Sequence, residues 1–134
     1  MMRLACLLLA FTTAACTAGA GAPPEAMSAE AQSRLSEELA GYTAGSPISC
    51  VSQRDLRGNR SVGDALLFEG RGKVVYVNRP AGGCPELRFN RALRTRTPSP
   101  QLCRGDIATV FDPISGIDHG SCGLGDFVPY RKLG

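Results

Sequence analysis

The chain has 134 residues, six cysteines, a formal charge of +3 and no tryptophan. That length allows one small domain, whose apolar core is marginal without covalent staples once an export segment is set aside. Three tyrosines, five phenylalanines and no tryptophan speak against a base-stacking surface, so no nucleic-acid partner is expected.

Residues 1–15 read MMRLACLLLAFTTAA: one arginine, an apolar run from Leu4 to Phe11, then small residues. This is the pattern of a secretory signal peptide, too short for a spanning helix. Thr13-Ala14-Ala15 lead directly into Cys16, and the four together resemble the lipobox of bacterial lipoproteins, with threonine where that motif prefers leucine. The resemblance implies cleavage before Cys16 and lipidation of its sulfur. Thr17 stands where aspartate would hold an enterobacterial lipoprotein at the inner membrane, so the outer membrane is the expected address. The competing reading is ordinary cleavage after Ala20, with Cys16 discarded.

Residues 17–27 are small and almost uncharged, which suits a flexible tether. From Ser28 the period becomes helical: Ala31, Leu35, Leu39 and Tyr42 share a face, Ser28 is placed as N-cap and Gly41 as terminator. The expected organisation is therefore a signal peptide over 1–15, a lipid-anchored tether and short amphipathic helix over 16–45, and a domain over 46–134.

Within that domain the pattern is all-β. Ile48–Val51 is a first short strand, and residues 53–63, polar and turn-rich, read as a loop. Ala65–Phe68 and Val74–Val77 are apolar on both faces around a glycine-bearing turn, as in a hairpin of central strands. Ala92–Thr97, Asp106–Asp112 and Ile117–Cys122 follow as strands, the last two joined by a turn over 112–116. The tail to Tyr130 adds an edge strand, where Pro129 would need no ladder donor. About six short antiparallel strands with turns every 8–12 residues predict a small barrel or sandwich behind one N-terminal helix.

Four cysteines lie in this domain: Cys50, Cys84, Cys103 and Cys122. Their spacing contains no C-x-x-C, and one histidine is too few for a mixed zinc site, so neither a metal nor another cofactor is expected. In an exported chain they read as two disulfides. Three pairings are open, and the placement of the Pro-rich turns favours Cys84–Cys103 with Cys50–Cys122.

The run Asp118-His119-Gly120-Ser121-Cys122 gathers catalytic residue types, but neighbours on a strand face opposite ways, so no catalytic residue is expected there. The glycines around it suit positive φ in a tight turn better than a phosphate loop, which needs a following helix. From Ser46 onward thirteen Arg or Lys face eight Asp or Glu, a net of +5, and eleven of the thirteen are arginine. Arg88, Arg91, Arg94 and Arg96, with Arg54, Arg57 and Arg60 nearby, would form an anion-binding face if they converge.

Taken together, I-S-C-V at Ile48, G-D-A-L-L-F at Gly63, Y-V-N-R-P at Tyr76, G-G-C-P-x-L at Gly82, L-C-R-G-D at Leu102 and C-G-L-G-D-F-V-P at Cys122 resemble a family of small exported proteins of Gram-negative bacteria, known by a domain-of-unknown-function label. The resemblance implies a disulfide-bearing periplasmic domain, often behind a lipoprotein leader, and no catalytic residues. The leading functional expectation is a non-enzymatic structural or interaction module of the cell envelope, held to the membrane by its lipid. The alternatives are a binding module for anionic envelope polymers such as lipopolysaccharide or peptidoglycan, and a small hydrolase built on His119.

Overall fold

A computed structural model of the chain describes residues 27–87 and 91–134. The expected signal peptide, Cys16, nearly all of the expected tether and Arg88 lie outside the described residues. One helix, α1 (Ala29–Glu38), precedes ten described strands: β1 (Tyr42–Ala44), β2 (Cys50–Ser52), β3 (Leu56–Val62), β4 (Ala65–Gly70), β5 (Val74–Asn78), β6 (Ala92–Thr95), β7 (Gln101–Cys103), β8 (Ile107–Phe111), β9 (Asp118–Gly123) and β10 (Phe127–Lys132).

The strands form three antiparallel sheets, ordered β1-β10-β5-β4-β3, β2-β7 and β6-β8-β9. The five-stranded sheet is the middle layer, which explains why β4 and β5 are apolar throughout. Successive side chains on a strand face opposite ways. Leu66 and Phe68 therefore enter one core with Val51, Leu102, Val110 and Phe127, while Ala65 and Leu67 enter another with Val75, Val77 and Leu35. The two smaller sheets cover the first face and α1 covers the second. Phe68 and Phe127 meet edge to face in the larger core, ring centroids 5.7 Å apart. The described strands close no barrel; the all-β fold is a small sandwich.

The helix forms where its signals lie. The Ser28 hydroxyl accepts from the Ala31 amide at 3.2 Å, and Gly41 takes φ +80° just beyond the last turn. Ala31 and Leu35 are buried, with Leu39 and Tyr42 half-buried beside them. The helix begins at the β3–β4 turn: a Cβ on Gly63 would stand 2.6 Å from that of Ala31. At its other end Glu38 reaches Arg60, which also pairs with Glu69.

Three strands depart from the expected set. The polar stretch read as a loop contains β3, which pairs with β4 along its length around a bulge at Arg57. β7 pairs with β2, and β1 adds to β10. β10 consequently is no edge; it lies between β1 and β5. Pro129 fits there because its carbonyl accepts from the Gly45 amide at 2.7 Å, on the side where β1 has just ended. The donor that proline lacks would point to that same side, where the ladder is running out.

The favoured disulfide pairing is also corrected: the bridges are Cys50–Cys103 and Cys84–Cys122. Cys50 and Cys103 stand directly opposite in the β2–β7 pair, Cα atoms 4.0 Å apart. With β7 hidden in a proline-bounded segment, this cross-strand relation was invisible. The β8–β9 register slips as well. The turn starts as expected, Asp112 donating to the Ile117 carbonyl at 2.9 Å. A bulge then leaves His119 without an opposite residue, and Cys122 faces Ala108 where an unbroken ladder would place Ile107.

Candidate functional site

Two regions bear on function: the bulged β8–β9 hairpin with its histidine, and the distribution of the arginines. In the hairpin, the Asp112 carboxylate accepts from the amides of Ile114 at 2.7 Å and Ser115 at 3.0 Å, closing the turn. These two backbone donors, helped by the charge of His119, hold the Asp112 pKa below the usual aspartate value, against a smaller opposing effect of desolvation. A folded-state pKa below the unfolded one gives stability that is present above the unfolded pKa and lost as pH falls through the folded pKa. Asp112→Ala should therefore lower the melting temperature at pH 7, with the difference from wild type shrinking in acid. Asp112→Asn, which keeps an acceptor oxygen, should recover part of the loss at pH 7. Melting curves of the three proteins from pH 2.5 to pH 7 check this; a pH-independent difference would remove the carboxylate from the account.

His119 is half-buried at the bulge. The neighbouring Asp118 is engaged by Arg94, whose guanidinium also lies over the Phe111 ring, 5.0 Å from its centroid. Cys122 is consumed in its bridge to Cys84. Of Gly120, Gly123 and Gly125, only Gly120 takes positive φ, at +139°, in the bulge itself. Gly125 is required for another reason: a Cβ there would collide with the Arg79 carbonyl oxygen. The Arg104-Gly105-Asp106 tripeptide is a structural turn, with the Asp106 carboxylate accepting from the Cys103 amide at 2.8 Å.

Three of the described arginines of the expected face make local ion pairs. Arg91 holds Glu86, Arg94 holds Asp118, and Arg60 holds both Glu38 and Glu69. Arg96 is exposed just beyond the end of β6. A different set of cations gathers at one end of the five-stranded sheet: Arg54, Arg57, Arg71, Lys73, Arg131 and Lys132, all exposed. Arg54 and Arg57 belong to the expected arginine group; Arg71, Lys73, Arg131 and Lys132 were missed because they are scattered through the sequence, and only the β10–β5 and β3–β4 pairings bring them to one end. The Arg71-Gly72-Lys73 turn between two apolar runs was the available signal.

A shallow groove of about 410 Å³ opens on the helix side of the sheet, lined by Pro47, Val77, Arg79, Asp126, Val128 and Tyr130. Among the described residues no helix is long and apolar enough to cross a membrane, and no cluster of His, Cys, Asp and Glu suits a metal ion. Comparison with protein-family models, curated proteins and solved structures finds no match to this chain.

Proposed function

We propose that the protein is a lipoprotein of the bacterial cell envelope, anchored through Cys16, whose domain works in the periplasm as a non-enzymatic interaction module. The observation that carries this reading is the pair of disulfides tying separate parts of one small sandwich. Such bridges are consistent with an oxidising compartment outside the cytoplasm, and the lipobox-like Thr13–Cys16 stretch supports an anchor there. The placement of α1 is compatible with such a tether: the chain leaving Met27 starts from the β3–β4 turn, at one end of the sheet.

The intact mass of the mature protein from its native membrane fraction tests the reading. The expected species begins at Cys16, carries acyl chains and labels with a thiol reagent only after reduction. Cys16→Ala should release the protein from the membrane fraction and leave the two bridges intact. A mature chain starting near Gly21 without lipid would overturn the anchor, and thiols free before reduction would overturn the covalent framework.

A further inference from the structure

The two ends of the five-stranded sheet differ in charge. The end where α1 starts carries Asp64, Arg79 and the ion pair of Arg104 with Asp126, so its charges are mixed. At the opposite end the backbone itself ties cation-bearing segments together. Asp55, flanked by Arg54 and Arg57, accepts through its carbonyl from the Arg71 amide at 2.9 Å. Lys132 donates its amide to the Lys73 carbonyl at 3.2 Å, and Arg131 stands opposite Val74. The β3 start, the β4–β5 turn and the β10 end thus bring six cations to one end of the sheet, with the exposed Asp55 as the acid among them. Among the described residues none of the six pairs with an aspartate or glutamate, although the Lys73 ammonium donates to the Gly134 carbonyl oxygen at 3.5 Å and that of Lys132 lies over the Tyr42 ring, 5.8 Å from its centroid; Glu69, near the end of β4, is already engaged by Arg60.

The arrangement is a rim. From β3 to β10 it crosses three strand spacings, about 15 Å at roughly 4.8 Å each. One small anion could meet only part of it, whereas a repeating anion could meet it all. Arginine at four of the six positions suits carboxylates, which accept its two parallel N–H bonds. Position adds a second constraint. β4 runs from the helix-start end to the rim, so the rim stands about 17 Å beyond the tether's point of attachment, at roughly 3.3 Å per residue. Since the described chain starts by the β3–β4 turn, the rim is the end of the sheet farther from that point of attachment.

We propose that this rim docks a polymer bearing repeated carboxylates that lies beyond the anchoring membrane, of the kind a cell-wall glycan with acidic peptide stems presents. Its direction rests on the lipoprotein reading; its binding chemistry does not. The test uses the mature protein, placed in phosphatidylcholine discs if its mass shows acyl chains and kept in solution if it does not. Fluorescent poly-L-glutamate is the soluble probe and purified sacculi the sedimentable one. Binding to both should fall at least tenfold between 50 and 500 mM salt, because screening contracts the field around exposed charges. Arg57→Gln/Arg71→Gln/Arg131→Gln should lose at least tenfold in affinity, while Arg34→Gln/Arg79→Gln/Arg96→Gln, which removes the same charge elsewhere, should lose less than threefold. Equal losses from the two triples would overturn the site, leaving only net charge. Rim-dependent binding to phosphatidylglycerol vesicles with none to polyglutamate or sacculi would overturn the occupant. Rim-dependent binding by an unlipidated mature chain would keep the site and remove the anchor.

Discussion

Replacing both cysteines of the Cys84–Cys122 bridge by alanine should lower the melting temperature by roughly 20 °C, the larger of the two disulfide effects. The bridge closes a separation of 38 residues and Cys50–Cys103 one of 53. Restricting the unfolded chain over loops of that size contributes about 4 kcal/mol each. Against a total of about 5–15 kcal/mol for a typical domain, either loss is large. Burial separates them. Cys84 and Cys122 are 2% and 8% exposed and belong to the main core, so their removal also leaves unfilled space. Cys50 and Cys103 are only partly buried, within a pair of three-residue strands. Melting curves of the two double-alanine proteins, with a non-reducing peptide map of the wild type, decide the matter. A smaller loss for Cys84/Cys122 than for Cys50/Cys103 would contradict this ranking.

The second large effect is expected at Asn78, the one buried polar residue in the described core, with no measurable exposure. Its side-chain amide donates to the Gly125 carbonyl at 2.7 Å, and its oxygen accepts from the Gly125 amide at 2.9 Å. The end of β5 is thereby latched to the turn between β9 and β10 by a two-point bond to backbone. Asn78→Leu would orphan a donor and an acceptor on Gly125, at a cost of about 2–4 kcal/mol. Gly125→Ala attacks the same latch from the other side, since the new methyl would collide with the Arg79 carbonyl. The two substitutions should be clearly sub-additive when combined, because either one opens the contact. Urea unfolding of the single and double variants measures this. Full additivity, or an Asn78→Leu loss below about 0.5 kcal/mol, would show that the latch contributes nothing.

What could be read in advance was whatever declares itself through apolar periodicity. The runs Ala65–Phe68 and Val74–Val77 mark two central strands because both of their faces are covered. The alternation from Ile107 to Phe111 marks β8, and Ser28 and Gly41 bracket the helix. The rest depends on partners distant in the chain. β3 has Leu56 and Val62 at its ends, with Arg57, Gly58, Asn59, Arg60 and Ser61 between them, and only its pairing with β4 makes it a strand. β7 is three residues long and follows two prolines. The disulfide pairing turned on that unseen strand, and the β8–β9 register on a single extra residue at His119. The cations follow the same rule: proximity along the chain suggested a face at 88–96, and the sheet pairing that gathers Arg71, Lys73, Arg131 and Lys132 with Arg54 and Arg57 at a rim left no mark on the sequence.

β3 also has a consequence for how copies of the domain meet. It is the outer strand of the five-stranded sheet, and among the described residues no strand pairs with its far side. A long, apolar strand in that position would invite a neighbour's strand to add to it. Here the bulge at Arg57 interrupts the strand, and Arg57, Asn59 and Arg60 line it with polar and charged groups. At the opposite margin β1 offers only three residues. Both margins of the sheet are thus poor templates, so molecules crowded together can collide without zipping into fibres, and the polarity that made β3 resemble a loop is what keeps them apart.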